Sequence, residues 1–264
     1  MSGTLTFNST TAASLGLKIG GVSSYAAPGR EVQTYYVPGR IGAVVPAVDY
    51  SQIPNEIREY SAALYKRAGS METVERAMAD VRDWLLNVDG YAELSDSYEP
   101  QFYRRAFFVG DVVPTRKGAG QNFEIPLRFS CDPRRFIAGN YNFTVYGGSG
   151  TVTHTTPATV NGFTIRDAAK PLIGIDSGGD EVTITFEEAD TGIQIGQLKL
   201  ISYGESVNFT FDAETLMAYY ADGSSANSLV EDVIGEIRLG PGSTRISFNS
   251  STIALTFTPR WWVR

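Results

Sequence analysis

Apolar positions in this chain follow two different periods, and the change between them falls near residue 90. Val74, Met78, Val81 and Leu85 recur at spacings of three and four. That places them on one side of a helix, with Arg76, Asp80 and Asp83 off the stripe. Ser70 is a candidate N-cap, and Glu72 and Glu75 suit the positive N-terminal end of such a helix. Gly90 is a candidate stop. A helix of about 17 residues is a rod of roughly 25 Å. Its one-sided stripe implies that it lies on a sheet or against a neighbouring subunit.

Beyond the helix the period is two. In FEIPLRFSC, Phe123, Ile125, Leu127 and Phe129 share a face, and Glu124, Pro126 and Arg128 take the other. RKGAGQN, just before, predicts a Gly-rich hairpin turn. Pro126 has no N–H to give a ladder, so the strand is expected at an edge or with a bulge. Further on, Val182, Ile184 and Phe186 alternate with Thr183, Thr185 and Glu187. Val207, Phe209 and Phe211 alternate with Asn208, Thr210 and Asp212, and Ile246 and Phe248 lie between Arg245 and Ser247. Many short half-buried strands joined by Gly or Asn turns predict an antiparallel β-sandwich.

Before the helix, residues 1–60 read as short strands between turns. A Pro-Gly-Arg triplet occurs at Pro28–Arg30 and again at Pro38, Gly39 and Arg40, with EVQTYYV between as a predicted strand. Near 133–150 the texture turns rich in Gly, Thr and Ser, which sets a domain boundary around Ala138. The expected organisation is a mainly β chain with one prominent α-helix. An α+β domain spans 1–138 and a sandwich spans 139–258. No long internal repeat points to a solenoid or propeller.

The closing TFTPRWWVR is unusual, because terminal residues are mostly polar and loosely held. Ile253, Leu255 and Phe257 share one face, and the same parity carries Trp261 and Val263. Thr256, Thr258, Arg260, Trp262 and Arg264 take the other. The two indoles therefore need two surfaces, and Pro259 marks a handover between them. Covering an indole removes ~200 Å² from water, worth several kcal/mol at ~25 cal/mol/Å². Arg260 and Arg264 are placed to stack over the Trp262 ring. The expectation is that 259–264 leaves the second domain to pack on the first, or on a neighbouring copy.

Composition narrows the function. At 264 residues and 42% apolar the chain can build a substantial core. A single cysteine, Cys131, excludes an internal disulfide framework and any CxxC pair. MSGTLTFNST has neither the basic region nor the apolar run of a signal peptide, and no stretch has the length of a membrane span. The expected place of synthesis is a reducing cytoplasm. The N-x-S/T sequences at Asn8, Asn142, Asn208 and Asn249 are then coincidental. A net charge of −7 and a pI of about 4.9 make a poor grip on nucleic acid.

Chemistry is scarce. The single histidine, His154, falls in a Thr-rich, turn-prone stretch expected to be a solvated loop. No third partner is signalled for Cys–His catalysis, and the His and Cys needed for a zinc site are nearly absent. Glu187 and Glu188 are adjacent and face opposite sides of a strand, which rules them out as a glycosidase pair. DSGGDE lacks EF-hand ligand spacing and reads as a turn, and YGGSGT lacks the lysine of a phosphate-binding loop. No catalytic, cofactor or metal residue is assigned, and the chain is expected not to be an enzyme.

The order of the pieces resembles the distal tail protein (Dit) family of long-tailed phages. The resemblance rests on SLGLKI, on YYVPGRIGAV, on the helix METVERAMADVRDWLLN, on NFEIPLRFSCDPRRF, on KPLIGIDSGGDEVTITF and on the terminal PRWW. It implies a six-membered ring at the tail tip, built by the N-terminal domain, with a galectin-like C-terminal sandwich outside. Such a ring joins the tail tube to the tail-associated hub protein, can carry a receptor-binding protein, and lets DNA through without binding it specifically. The implied location is the distal end of the virion's tail, with synthesis in the bacterial host cytoplasm and no membrane insertion. In this family the last segment often returns to the first domain. Candidate ring- or domain-interface residues are Pro38, Gly39, Arg40, Arg260, Trp261, Trp262 and Arg264. The second domain, at about 120 residues, is shorter than in larger members.

Two other readings compete. One is a carbohydrate-binding sandwich for host-surface attachment, with Tyr219, Tyr220 and Trp262 as sugar-stacking candidates. The other is a different tail protein, a tube or hub subunit.

Overall fold

The structure is a computed structural model and describes residues 3–24, 55–65, 71–117, 122–147, 150–202 and 204–263. The chain divides into two compact units, Met1–Arg135 and Phe136–Val263.

The first unit runs β1 (Leu5–Phe7), β2 (Thr10–Thr11), β3 (Leu17–Ser24), β4 (Glu56–Tyr65), α1 (Met71–Leu86), β5 (Ala92–Asp96), β6 (Phe102–Phe108), β7 (Thr115–Lys117) and β8 (Asn122–Cys131). The strands form one antiparallel sheet in the order β2-β1-β5-β6-β8-β4-β3, with β7 added beside β8. The longest ladder pairs β4 with β8, from Glu56 opposite Cys131 to Tyr65 opposite Asn122.

The apolar stripe puts α1 on this sheet. Met78, Val81 and Leu85 are buried in one cluster with Leu5, Phe7, Ile19, Leu64, Ile125, Leu127 and Phe129. Ala77 and Trp84 widen the stripe on the same face. Each large apolar side chain so buried is worth about 1.5–3 kcal/mol over leaving it exposed. The Trp84 indole N–H donates to the Phe7 carbonyl at 2.9 Å, and its ring meets Phe7 edge-on at 6.2 Å. The helix stops at Leu86, with the Asn87 N–H still bonded to the Asp83 carbonyl. Gly90, the expected stop, instead lies in the turn into β5 with φ +75°. Ser70 lies outside the described residues, as do both Pro-Gly-Arg triplets and the strand expected between them.

Pro126 falls on a strand paired along both flanks, not on an edge strand. Its surroundings explain why it is tolerated. Beside β4 the ladder is continuous, with Ser61 opposite Pro126. On the other flank β7 covers Asn122 to Glu124 and β6 starts at Phe129. Arg128, of the same parity as Pro126, points its carbonyl to this second flank, where it accepts the Val109 N–H at 2.8 Å. The missing proline N–H therefore faces the seam between β7 and β6, where no ladder bond is lost. A cavity of about 400 Å³ opens there, lined by Glu59, Ser61, Asp111, Thr115, Glu124 and Pro126 among others. β7 and β8, which flank the hairpin expected at RKGAGQN, pair antiparallel with Lys117 opposite Asn122, and residues 118–121 lie outside the described residues.

The second unit begins within β9 (Arg135–Ile137). It continues through β10 (Phe143–Tyr146), β11 (Thr151–Thr155), β12 (Thr159–Val160), β13 (Phe163–Thr164), β14 (Leu172–Ser177), β15 (Val182–Glu188) and β16 (Gln194–Leu200). It ends with β17 (Val207–Asp212), β18 (Met217–Tyr219), β19 (Val230–Gly235), β20 (Ser243–Phe248), β21 (Ile253–Thr258) and β22 (Trp262–Val263). Two five-stranded antiparallel sheets result, β10-β21-β14-β17-β18 and β11-β20-β15-β16-β19, with a small β12-β13 hairpin. Their alternating apolar faces meet, and Phe186 of one sheet packs edge-on against Phe257 of the other at 6.2 Å. DSGGDE forms the β14–β15 turn. Gly179 there has φ +97°, and a Cβ on it would come within 2.7 Å of the Glu205 carbonyl oxygen.

Candidate functional site

The closing segment is built by a break in alternation. Along β21 Ile253, Leu255 and Phe257 are buried and their neighbours are half-exposed. After Thr258, Pro259, Arg260 and Trp261 are buried in succession. Pro259 ends the β21 ladders with β10 and β14, and β22 then pairs with β9. The Trp261 carbonyl accepts the Ile137 N–H at 2.8 Å.

The side chains of this segment do different things. Arg260, only 9% exposed, is bidentate to Asp212, with Glu214 at 3.7 Å, and donates from Nε to the Lys170 carbonyl at 2.7 Å. Its donors are thus committed to Asp212 at the end of β17, where a fork-on-carboxylate geometry is strong, and to the Lys170 carbonyl, rather than to the Trp262 ring. Trp261, 2% exposed, lies nearly parallel to the His154 ring at 6.4 Å. Trp262 is half-buried, and its indole N–H donates to the Ala168 carbonyl at 3.4 Å. These residues group with the second unit, and so does Val263. Pro38, Gly39, Arg40 and Arg264 lie outside the described residues.

His154 does not sit in a solvated loop. It is the fourth residue of β11, half-buried, and stacked on Phe143 at 4.0 Å with the planes 3° apart. Burial lowers its pKa below the ordinary 6.5, and its Nε2 is buried without a hydrogen-bond partner among the described residues. The Thr-rich sequence misled because threonine is also a strand former on an exposed face.

The first unit holds a group of residues that motif reasoning did not single out. On the core face of β4, Leu64, Ala62 and Tyr60 give way to Arg58 and Glu56. Arg58, 1% exposed, bonds Asp96 at 2.9 Å, Glu56 at 3.2 Å, and Glu99 more closely. Arg104 reaches the same Glu99 at 2.8 Å and Glu56 at 3.6 Å, and Arg135 lies 3.9 Å from Glu99. Asp96 also accepts the Tyr60 hydroxyl at 2.6 Å and the backbone N–H groups of Tyr98 and Glu99. Three guanidiniums face three carboxylates, so the cluster is neutral.

The electrostatics follow from that balance. Burial works against the Arg58 cation, but Tyr60, Glu99 and Glu56 outweigh it and raise its pKa. Burial also pushes Glu99 up, but Arg104 and Arg58 hold its carboxyl below the usual range. Burial and the Asp96 charge raise the Tyr60 hydroxyl. Burial drives the adjacent Cys131 thiol up to about 12, which leaves it protonated and unreactive at neutral pH. Every ionised group named here lies beside a counter-charge. The arrangement ties β4 to the end of β5, to the turn beyond it and to β6.

Other sequence candidates are dispersed. Glu187 pairs with Arg245 and Glu188 with Arg238. Tyr219 and Tyr220 belong to β18 and the turn after it, Trp262 to β22. Among the described residues no group of three or more His, Cys, Asp or Glu is placed to hold a metal ion, and no helix is long and apolar enough to cross a membrane.

No protein-family model matches the chain, and neither does any curated sequence. Solved structures do match in fold. The Dit protein (gp 19.1) of phage SPP1, described as a paradigm of the hub adsorption apparatus in phages infecting Gram-positive bacteria, aligns over 98% of both chains. Its TM-score is 0.61 at 14% identity. A chain of the phage p2 baseplate in its activated conformation with strontium aligns over 97% of both chains, at a TM-score of 0.56 and 11% identity. A chain of the calcium form aligns over 98% of both, at 0.57 and 10%. The likeness therefore runs from the helix-bearing sheet through the sandwich to the closing strand.

Proposed function

We propose that this chain is a structural subunit of a phage tail tip, of the distal tail protein type, and not an enzyme. The observation that carries this reading is the end-to-end likeness of fold to a Dit protein and to phage baseplate chains. In this reading the first unit builds a hexameric ring and the sandwich, galectin-like in type, decorates its outside. The ring joins the tail tube to the tail-associated hub protein, offers a seat for a receptor-binding protein, and belongs to the distal end of the virion's tail. The segment 259–264 and Pro38, Gly39 and Arg40 are its candidate assembly contacts.

Six copies at −7 carry −42, and acidic walls would repel the phosphates of DNA passing through the ring. Basic substitutions on the lumen face should then impair DNA ejection while leaving the ring intact.

Negative-stain imaging of the purified full chain tests the proposal. A six-fold annulus, formed alone or on mixing with the tube and hub proteins of the same phage, is expected. A particle that stays monomeric in both conditions, or that grows into long tubes, overturns it.

A further inference from the structure

The segment that ends the second unit is pinned by a ring able to take a charge. Four flat rings stand in a column: Phe257 on Phe143 at 4.8 Å, Phe143 on His154 at 4.0 Å, and His154 beside Trp261 at 6.4 Å. Their planes depart from parallel by 9°, 3° and 12° in turn. Phe143 and Phe257 belong to one sheet and His154 to the other, so the column bridges the sandwich and ends on the closing segment.

Among the described residues, the groups around the imidazole carry no complementary charge. Phe143 faces it from β10, with Phe257 of β21 behind, and Trp261 faces it from the closing segment. Thr244 lies opposite it on β20, flanked by Ser243 and by Arg245, which pairs with Glu187. Thr153 and Thr155 flank it on β11. The charge on the closing segment, Arg260, is bound to Asp212 with Glu214 alongside. Nε2 is buried with no partner.

We propose that His154 is an acid-released pin: its neutral ring seats Trp261 in the column, and its protonated ring leaves, loosening Trp261 and the β9–β22 pairing beside it. Protonation turns Nε2 into a donor with no acceptor and sets a charge in a desolvated place, and both oppose the stacked position. β11 is the outermost strand of its sheet and the ring is half-exposed, so rotation into water is open to it. Burial keeps the seated ring below its ordinary pKa of 6.5. The seated state is then fully favoured above that value and loses ground as pH falls towards the seated pKa.

Two measurements on the full chain test this. The chain has one histidine, so deuterium exchange at the imidazole Cε1, followed by mass spectrometry, reports its titration alone. A pKa below 6.5 is expected. The second readout is amide protection of Ile137, whose N–H is held by the Trp261 carbonyl. Corrected for intrinsic exchange, it should fall about tenfold per pH unit from 6.5 down to the seated pKa. His154→Phe keeps a flat ring that cannot titrate and should remove this pH dependence. His154→Gln removes the ring and should leave Ile137 poorly protected throughout the window. A histidine pKa at or above 6.5, or the same pH dependence of Ile137 in His154→Phe, overturns the proposal.

Discussion

In the first unit the inward face of β4 runs from Leu64 and Ala62 through Tyr60 to Arg58 and Glu56. In the second unit the inward face of β15 stays apolar along its length, with Val182, Ile184 and Phe186, and the buried Arg260–Asp212 pair sits where β17 ends. Both solutions hide their strands, but they specify different things. An apolar face fixes which side of a strand points inward, since a slip of one residue reverses it, and a slip of two keeps it. The first unit adds a lock that only one register satisfies, with Arg58 on β4 meeting Asp96 at the end of β5 and Glu99 in the turn beyond. The price is dependence on charge balance.

The widest break in this contrast comes from Arg58→Ala. It strands Glu56, Asp96 and Glu99 around an emptied site and should cost about 3–5 kcal/mol, as removal of one partner from a buried ion cluster does. Amide exchange in β4 and β5 reads the loss. Phe257→Ala should cost a similar ~3–5 kcal/mol in the sandwich, since that ring touches Phe143 and Phe186. Acid separates the two variants. The Arg58→Ala penalty should shrink as the stranded carboxylates protonate, and the Phe257→Ala penalty should not. Equal pH dependence of both penalties would show that the charges inside the first unit do not set its stability.

A smaller effect is expected from Trp84→Phe. It keeps most of the ring but leaves the Phe7 carbonyl without its donor, a loss of about 1–3 kcal/mol in the first unit alone. Thermal unfolding with calorimetry measures it. The mildest test is pH on the unaltered chain. Glu99 is depressed in the folded state, so its contribution is complete above the ordinary carboxylate pKa of 4.5 and disappears as pH falls through its lower folded value. His154 is depressed as well, so the second unit begins to weaken already below 6.5. Exchange protection should therefore be lost first around β11 and the closing segment, and later around β4 and β5.

Legibility in the sequence follows the same division. The sandwich strands could be read because their inward residues are apolar and their outward ones polar, and Phe209, Phe211, Ile246 and Phe248 are buried as the alternation predicts. The face of α1 was equally plain, although Trp84 was not counted on it. In EIREYSAALY charge falls on both faces, so alternation says nothing about which one is inward. The signal was present only as parity: Arg58 and Glu56 share the face of Ala62 and Leu64. Their partners Asp96, Glu99 and Arg104 lie far along the chain, and no local pattern couples them. In the closing segment, parity placed Trp261 inside. It could not anticipate that Arg260 would turn inward too, because its partner Asp212 sits at a strand end 48 positions earlier.

The seam beside Pro126 bears on how crowded copies treat one another. A bare strand flank is an invitation to any loose chain with hydrogen bonds to offer. At this one the backbone has an acceptor but no donor at its midpoint, and an intruding strand could not zip through it. That stretch of the sheet thus stays open to water yet is denied as a template for clumping.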